Sequence, residues 1–220
     1  MKIQLKKMNL KGQMRGVVIA NLLIFALLVI LLLIEGADAT GMAAYEAADL
    51  IIKATFMIGQ SVLISKLVIE EFKTRTVQHL YTYPLNRLKV MAAKIGLIFI
   101  LMSSFLLVSQ VVQHGLFHGL ALIFSNFSYP MSMMSMAVVA TTSIFSVLVG
   151  MLPIAVGLWT KSTVAPVVSS FLLIAVLGGS FGDEGLDMMN NLMGMLVLGL
   201  VGLAVAGFAV RDVLKKDLIV

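Results

Sequence analysis

Few side chains in this sequence carry chemistry of their own. His114 and His118 stand four residues apart, which puts both imidazoles on one face of a helix. Met131, Met133, Met134 and Met136 follow shortly after. Imidazole and soft thioether together could hold Cu(I), so copper-type transport is one reading. Against it, sixteen methionines are spread through the chain, and no cysteine completes a soft ligand set. Methionine is also an adaptable apolar filler, and we expect no metal site. The lack of cysteine further excludes disulfides and thiolate centres. No G-x-x-x-x-G-K-[ST] phosphate loop occurs, so the chain cannot hydrolyse ATP alone, and no residue is expected to do covalent chemistry.

Polar residues set into apolar runs are the next candidates. Gln60, Ser61 and Ser65 lie in one run, Ser103, Ser104, Ser109, Gln110 and Gln113 in another, and Thr141, Thr142, Ser143 and Ser146 in a third. Such groups face protein and not lipid. Gln60, Ser61, Ser65 and Gln110 are the expected translocation path, Gln60 above all because a buried amide is costly to leave unpaired. For the serines and threonines, ordinary hydrogen bonding between helices is the simpler role. Lys53, one turn after Asp49, is expected to pair with it or to reach outward to the interface. Gly199, Gly202, Ala206 and Gly207 offer a small-residue face for close helix packing.

A third group is neither buried nor simply polar. The stretch Glu70 to Lys89 is hydrophilic yet carries Phe72, Val77, Leu80, Tyr81 and Tyr83. A solvent loop has no use for these anchors, whereas a short helix docking in a partner's groove does. Glu70 and Glu71 suit the positive end of that helix, and Pro84 ends it. Asn86 can then cap the following helix, with Arg87, Lys89 and Lys94 at the membrane surface.

These residues must be held by something, and composition says what. Of 220 residues, 60% are hydrophobic and 12% charged, against about 45–50% and about 25% in soluble domains, so lipid must act as solvent for part of the surface. Six apolar runs stand out: Val17–Ile34, Leu50–Ile69, Val90–Val112, Met131–Leu158, Thr163–Leu177 and Leu192–Val210. Crossing the hydrocarbon takes about 20 residues. The fifth run is short and carries Pro166. With six spans and both termini cytoplasmic, fifteen of the sixteen basic residues fall inside, Lys53 being the exception, and the basic bias of loops sets orientation. The net charge of +5 therefore reads as topology, and no nucleic-acid partner is expected. Lys-rich residues 1–15 and Ala37-Asp38-Ala39 mimic a cleavable signal, but its apolar core would be about 7–15 residues and Val17–Ile34 is longer. Lys7, Lys11 and Arg15 on one face and Ile3, Leu10 and Met14 on another suggest an amphipathic N-terminal helix on the inner leaflet.

The segment after the second span resembles the type-2 ABC exporter permease family. Its pattern of Glu-Glu-aromatic, Thr, Leu, Tyr/Ser-Pro-Leu/Ile-Ser-Arg is met by Glu70, Glu71, Phe72, Thr76, Leu80, Tyr83, Pro84, Leu85 and Arg87. Arg75 stands where glycine is usual, and Asn86 replaces serine. The resemblance implies an all-α integral membrane protein: one permease domain over 1–220 in the bacterial plasma membrane, with a cytoplasmic elbow (1–16), a cytoplasmic coupling helix (70–89) and a cytoplasmic tail (211–220). It further implies ATPase coupling through Glu70, Glu71, Phe72, Thr76, Leu80, Tyr81, Tyr83, Pro84 and Arg87. The working unit would be two permeases, expected to be identical, and two ABC ATPase subunits. The ATPases would bind ATP and Mg, leaving this chain without a cofactor. Expected cargo is hydrophobic or amphipathic, with peptide toxins or antimicrobial peptides favoured, and moves outward. Other readings are a sensor or immunity partner of an ATPase that transports nothing, and a passive channel.

Overall fold

A computed structural model describes residues 10–35, 41–70, 87–123, 132–178 and 192–216. All regular structure among them is helical: α1 Leu10–Glu35, α2 Gly41–Ile64, α3 Arg87–Ile123, α4 Met133–Val149, α5 Leu152–Thr160, α6 Ala165–Leu177 and α7 Leu192–Lys216. A π-helical turn, Ser65–Ile69, carries α2 on to Glu70. Five stretches are long and apolar enough to cross a membrane: Gly12–Ile30, Tyr45–Ile69, Val90–Leu122, Met133–Thr160 and Leu192–Val213. The expected fifth of six spans is the thirteen-residue α6, which rises only about 20 Å against about 30 Å of hydrocarbon. Residues 10–16 of the expected elbow are the first turns of α1, continuous with the span, and residues 1–9 lie outside the described residues.

The breaks between helices have local causes. Ser132 caps α4: its hydroxyl accepts from the Ser135 amide at 3.1 Å, while its own amide donates to Ser135 Oγ at 2.9 Å. This reciprocal box satisfies two amides that the first turn would leave orphaned. Proline at the start of α5 (Pro153) and of α6 (Pro166) lacks an N–H that the first turn does not need. Lys161, at φ 53°, supplies the left-handed residue that turns α5 into α6.

Helix α2 is the central strut, packed on α1, α3, α4, α5 and α6. Its buried Ala48, Ile52, Phe56 and Ile64, with Val68 and Ile69 of the π-helical turn, join Ile98, Met102, Leu106 and Phe117 of α3 and Ile154 and Leu158 of α5 in one apolar core. Phe25 of α1 meets Phe117 with ring centroids 5.5 Å apart. Helices α4 and α7 meet in a close seam. A Cβ on Gly202 would lie 2.6 Å from the Leu148 carbonyl oxygen, and one on Gly199 would lie 3.2 Å from Leu148 Cβ. Ala206 is buried on the same side, whereas Gly207 is exposed with open space around it and does not belong to the small-residue face.

The outside of the bundle is apolar. Leu22, Leu23 and Ile30 of α1, Phe171 and Leu172 of α6, and Leu200 and Phe208 of α7 are all more than half exposed. A soluble monomer does not carry such a surface, and lipid covers it here.

Candidate functional site

The polar residues gather inside this bundle in three groups. The first lies toward the start of α2 and the end of α3. Tyr45, Asp49 and Lys53 repeat every four residues and so share one face of α2. Lys53 Nζ donates to Asp49 Oδ2 at 2.5 Å and to Thr142 Oγ1 of α4 at 2.8 Å. Gln110 of α3 donates to Asp49 Oδ1 at 2.6 Å and to Ser143 Oγ of α4 at 3.3 Å. One turn nearer the bundle end, the ring of Tyr45 lies 4.7 Å from that of His114. Lys53 is 0% exposed and Asp49 2%, so the lysine pairs inside the protein and does not reach the surface. An isolated Lys or Asp at membrane depth costs about 3 kcal/mol on insertion scales. The pair and its two polar neighbours offset that penalty by answering each charge with a hydrogen-bonded partner.

The second group fastens α1 to α3. Asn21 Nδ2 donates to Ser109 Oγ at 2.7 Å, and Gln113 Nε2 donates to the Asn21 carbonyl at 2.6 Å. Asn21 is a functional candidate that sequence reasoning misses. The available signal is one amide in an otherwise apolar run.

The third group follows α2 toward its π-helical turn. Gln60 Nε2 donates to the Val147 carbonyl at 2.9 Å. This bond has a reason in the chain. The Met151 amide turns to Leu148, and the helix path breaks at Gly150–Met151, so the Val147 carbonyl takes its proton from another helix. Gly150 makes room, because a Cβ there would lie 2.5 Å from Gln60 Oε1. One residue on, the hydroxyls of Ser61 and Ser170 of α6 are 3.1 Å apart. Ser65 donates to the Thr163 carbonyl in the α5–α6 turn. A Cβ on Gly157 would meet Pro166 Cγ at 2.5 Å and Ile69 Cδ1 at 2.9 Å, so α5, α6 and the end of α2 lock together.

All four expected path residues, Gln60, Ser61, Ser65 and Gln110, are therefore buried and bonded to another helix or to the turn between two. Ser104 and Thr141 are exposed instead, and each donates to its own helix, to the carbonyls of Ile100 and Ala137. His118 stays on the His114 face, but no group of three or more His, Cys, Asp or Glu able to hold a metal occurs among the described residues. Met133 and Met134 are 94% and 80% exposed, and Met131 lies outside the described residues. Of the expected coupling residues, Glu70 ends α2 exposed and Arg87 opens α3. Glu71, Phe72, Thr76, Leu80, Tyr81, Tyr83 and Pro84 lie outside the described residues.

Long apolar helices around an interior of paired charges and amides define a multi-pass membrane protein. The chain belongs to the ABC-2 family of transporter proteins, which it matches over residues 9–178, from the first turns of α1 through α6. Members of this family are membrane permease subunits, not themselves catalytic, and work with ABC ATPase partners. The uncharacterized protein YcbO of Bacillus subtilis (strain 168) is 28% identical over 233 aligned positions, spanning 98% of each chain. No solved structure matches.

Proposed function

We propose that this chain is the permease subunit of an ATP-driven exporter and that two copies work with two ABC ATPase subunits. The observation that carries this reading is the family match across the Glu70–Arg87 stretch, with its acidic and aromatic anchors set between two spans. Six crossings, the short α6 among them, fit the basic residues beside that stretch and near both termini, which favour the cytoplasmic side. Closure of the ATPases on nucleotide drives the two coupling helices together. The thrust reaches α2 through Glu70 and its π-helical turn. Ser65, Ile69 and Gly157 make that turn one body with α5 and α6. The spans then rock to open an outward route along the α2 face that carries Gln60 and Ser61. The cargo is hydrophobic or amphipathic and enters from the inner leaflet, and toxin-like or antimicrobial peptides fit that description.

The test is reconstitution with the partner ATPase in liposomes. Phe72→Ala, or charge reversal by Glu71→Lys, is expected to abolish cargo-dependent ATPase stimulation and transport while membrane insertion is preserved. Unchanged coupling in both variants refutes the docking assignment, and no ATP-dependent movement of any amphipathic peptide by the parent refutes the exporter.

A further inference from the structure

The buried Asp49–Lys53 pair is more than the stability of the bundle requires. In a dry interior, two well-packed apolar residues hold helices together as well as an ion pair or better. What an ion pair adds is a sharp dependence on water. Separating opposite charges is costly in a low dielectric and cheap once both are hydrated, so such a contact is firm while dry and yields as soon as water enters. Its placement suits that property. The pair joins three helices at one end of the bundle, since Lys53 reaches Thr142, Asp49 receives Gln110, and Gln110 in turn reaches Ser143. Below it on α4, the helix breaks at Gly150–Met151 beside Gln60, and Pro153 follows. The last turns of α4, just above the break, are fixed to α7 by the Gly199 and Gly202 seam, so the two helices form a unit on that side of the break. On the other side, Asn21 with Ser109 and Gln113 makes α1 and α3 a second unit. Charged and polar contacts span the space between the units, with α2 in the middle.

We infer that Asp49, Lys53, Gln110 and Thr142 form a latch, closed in this structure, whose release lets α4 with α7 part from α3 with α1 and admits water to the face of α4 at Ser143. The mechanical claim concerns this chain alone. Its place in a transport cycle rests on the exporter reading above, in which release coincides with outward opening.

The chain has no cysteine, so Ser143→Cys introduces a single thiol, at a position 0% exposed in the closed state. Its rate of reaction with a membrane-impermeant maleimide in nanodiscs reads the latch directly. In the parent background the rate is low. In Lys53→Met, which leaves the Asp49 carboxylate without its counter-ion in the dry interior, labelling rises at least about tenfold, as expected when a minor hydrated state of about 10% or less becomes dominant. Asp49→Leu/Lys53→Met, an apolar contact that water does not loosen, labels no faster than the parent. Asp49→Lys/Lys53→Asp, which exchanges the charges, returns the rate toward that of the parent. The melting temperature of each variant separates release from unfolding. Equal labelling of the parent and folded Lys53→Met, or faster labelling of the apolar double variant than of the parent, overturns the latch. In complex with the partner ATPase, trapping with ATP and vanadate is expected to speed labelling of the parent in the same way. A coupled complex whose introduced thiol stays protected refutes the latch's part in the cycle. A chain that stimulates no ATPase, yet shows the variant-dependent labelling, refutes the exporter and leaves the latch standing.

Discussion

Gln60 and Gly150 make a pair whose coupling can be measured. Gln60→Ala removes the side-chain donor to the Val147 carbonyl, and an unsatisfied buried acceptor costs about 1–3 kcal/mol. Gly150→Ala sets a methyl 2.5 Å from Gln60 Oε1 and 2.9 Å from its Cδ, well inside contact distance. The amide must then leave Val147, so this single change carries both overpacking, about 1–3 kcal/mol, and loss of the bond. Once Gln60 is already alanine, the added methyl meets no amide. The double variant is thus expected to be about as stable as Gln60→Ala alone, with a favourable coupling equal to the whole cost of Gly150→Ala, about 2–6 kcal/mol. The assay is thermal unfolding of the four proteins in one detergent, where 1 kcal/mol corresponds to about 2–4 °C for a chain of this size. If the two losses simply add in the double variant, the bond from α2 to the α4 break does not hold.

Two further outcomes follow from the geometry. Gly202→Ala is expected to lower the melting temperature by several degrees, because its methyl would lie 2.6 Å from the Leu148 carbonyl oxygen, while Gly207→Ala, in open space, leaves it unchanged or raises stability by up to about 1 kcal/mol of helix propensity. Asn21→Ala is expected to destabilise by about 1–3 kcal/mol because Ser109 loses its donor, while Gln113 keeps the backbone carbonyl of residue 21, and Asn21→Leu more than Ser109→Ala alone, both measured in the same unfolding assay.

How much of this is legible in the sequence depends on range. The spans are legible because lipid sets a simple length and polarity requirement, and five of the six runs meet it, four with ends shifted by at most five residues and the third, Val90–Leu122, running ten residues beyond the expected Val112. The sixth, Ala165–Leu177, is the run that is short in the sequence and carries Pro166. The local Asp49–Lys53 pairing can be read from its four-residue spacing, but its partners Gln110 and Thr142 are 61 and 89 positions away, and no periodicity within one helix reveals them. Asn21 is hidden for the same reason. Gly207 looks like part of the small face because it adjoins Ala206, yet one residue along a helix turns the side chain by about 100°. Ser104 and Thr141 sit on the lipid side because a hydroxyl can return its proton to its own helix, an option an amide such as Gln60 does not use here.

Helix α3 runs thirty-seven residues from Arg87 to Ile123 without a proline, about 55 Å of unbroken rod in a film whose oily layer is little more than half as thick. A rod of that length magnifies. Tilting it by about 10° about one tip carries the other sideways by nearly 10 Å, with no joint along the way to absorb the swing. Its first residue adjoins the Glu70–Arg87 stretch, so a nudge of a few ångströms at one face of the membrane is delivered, undiminished, at the opposite face.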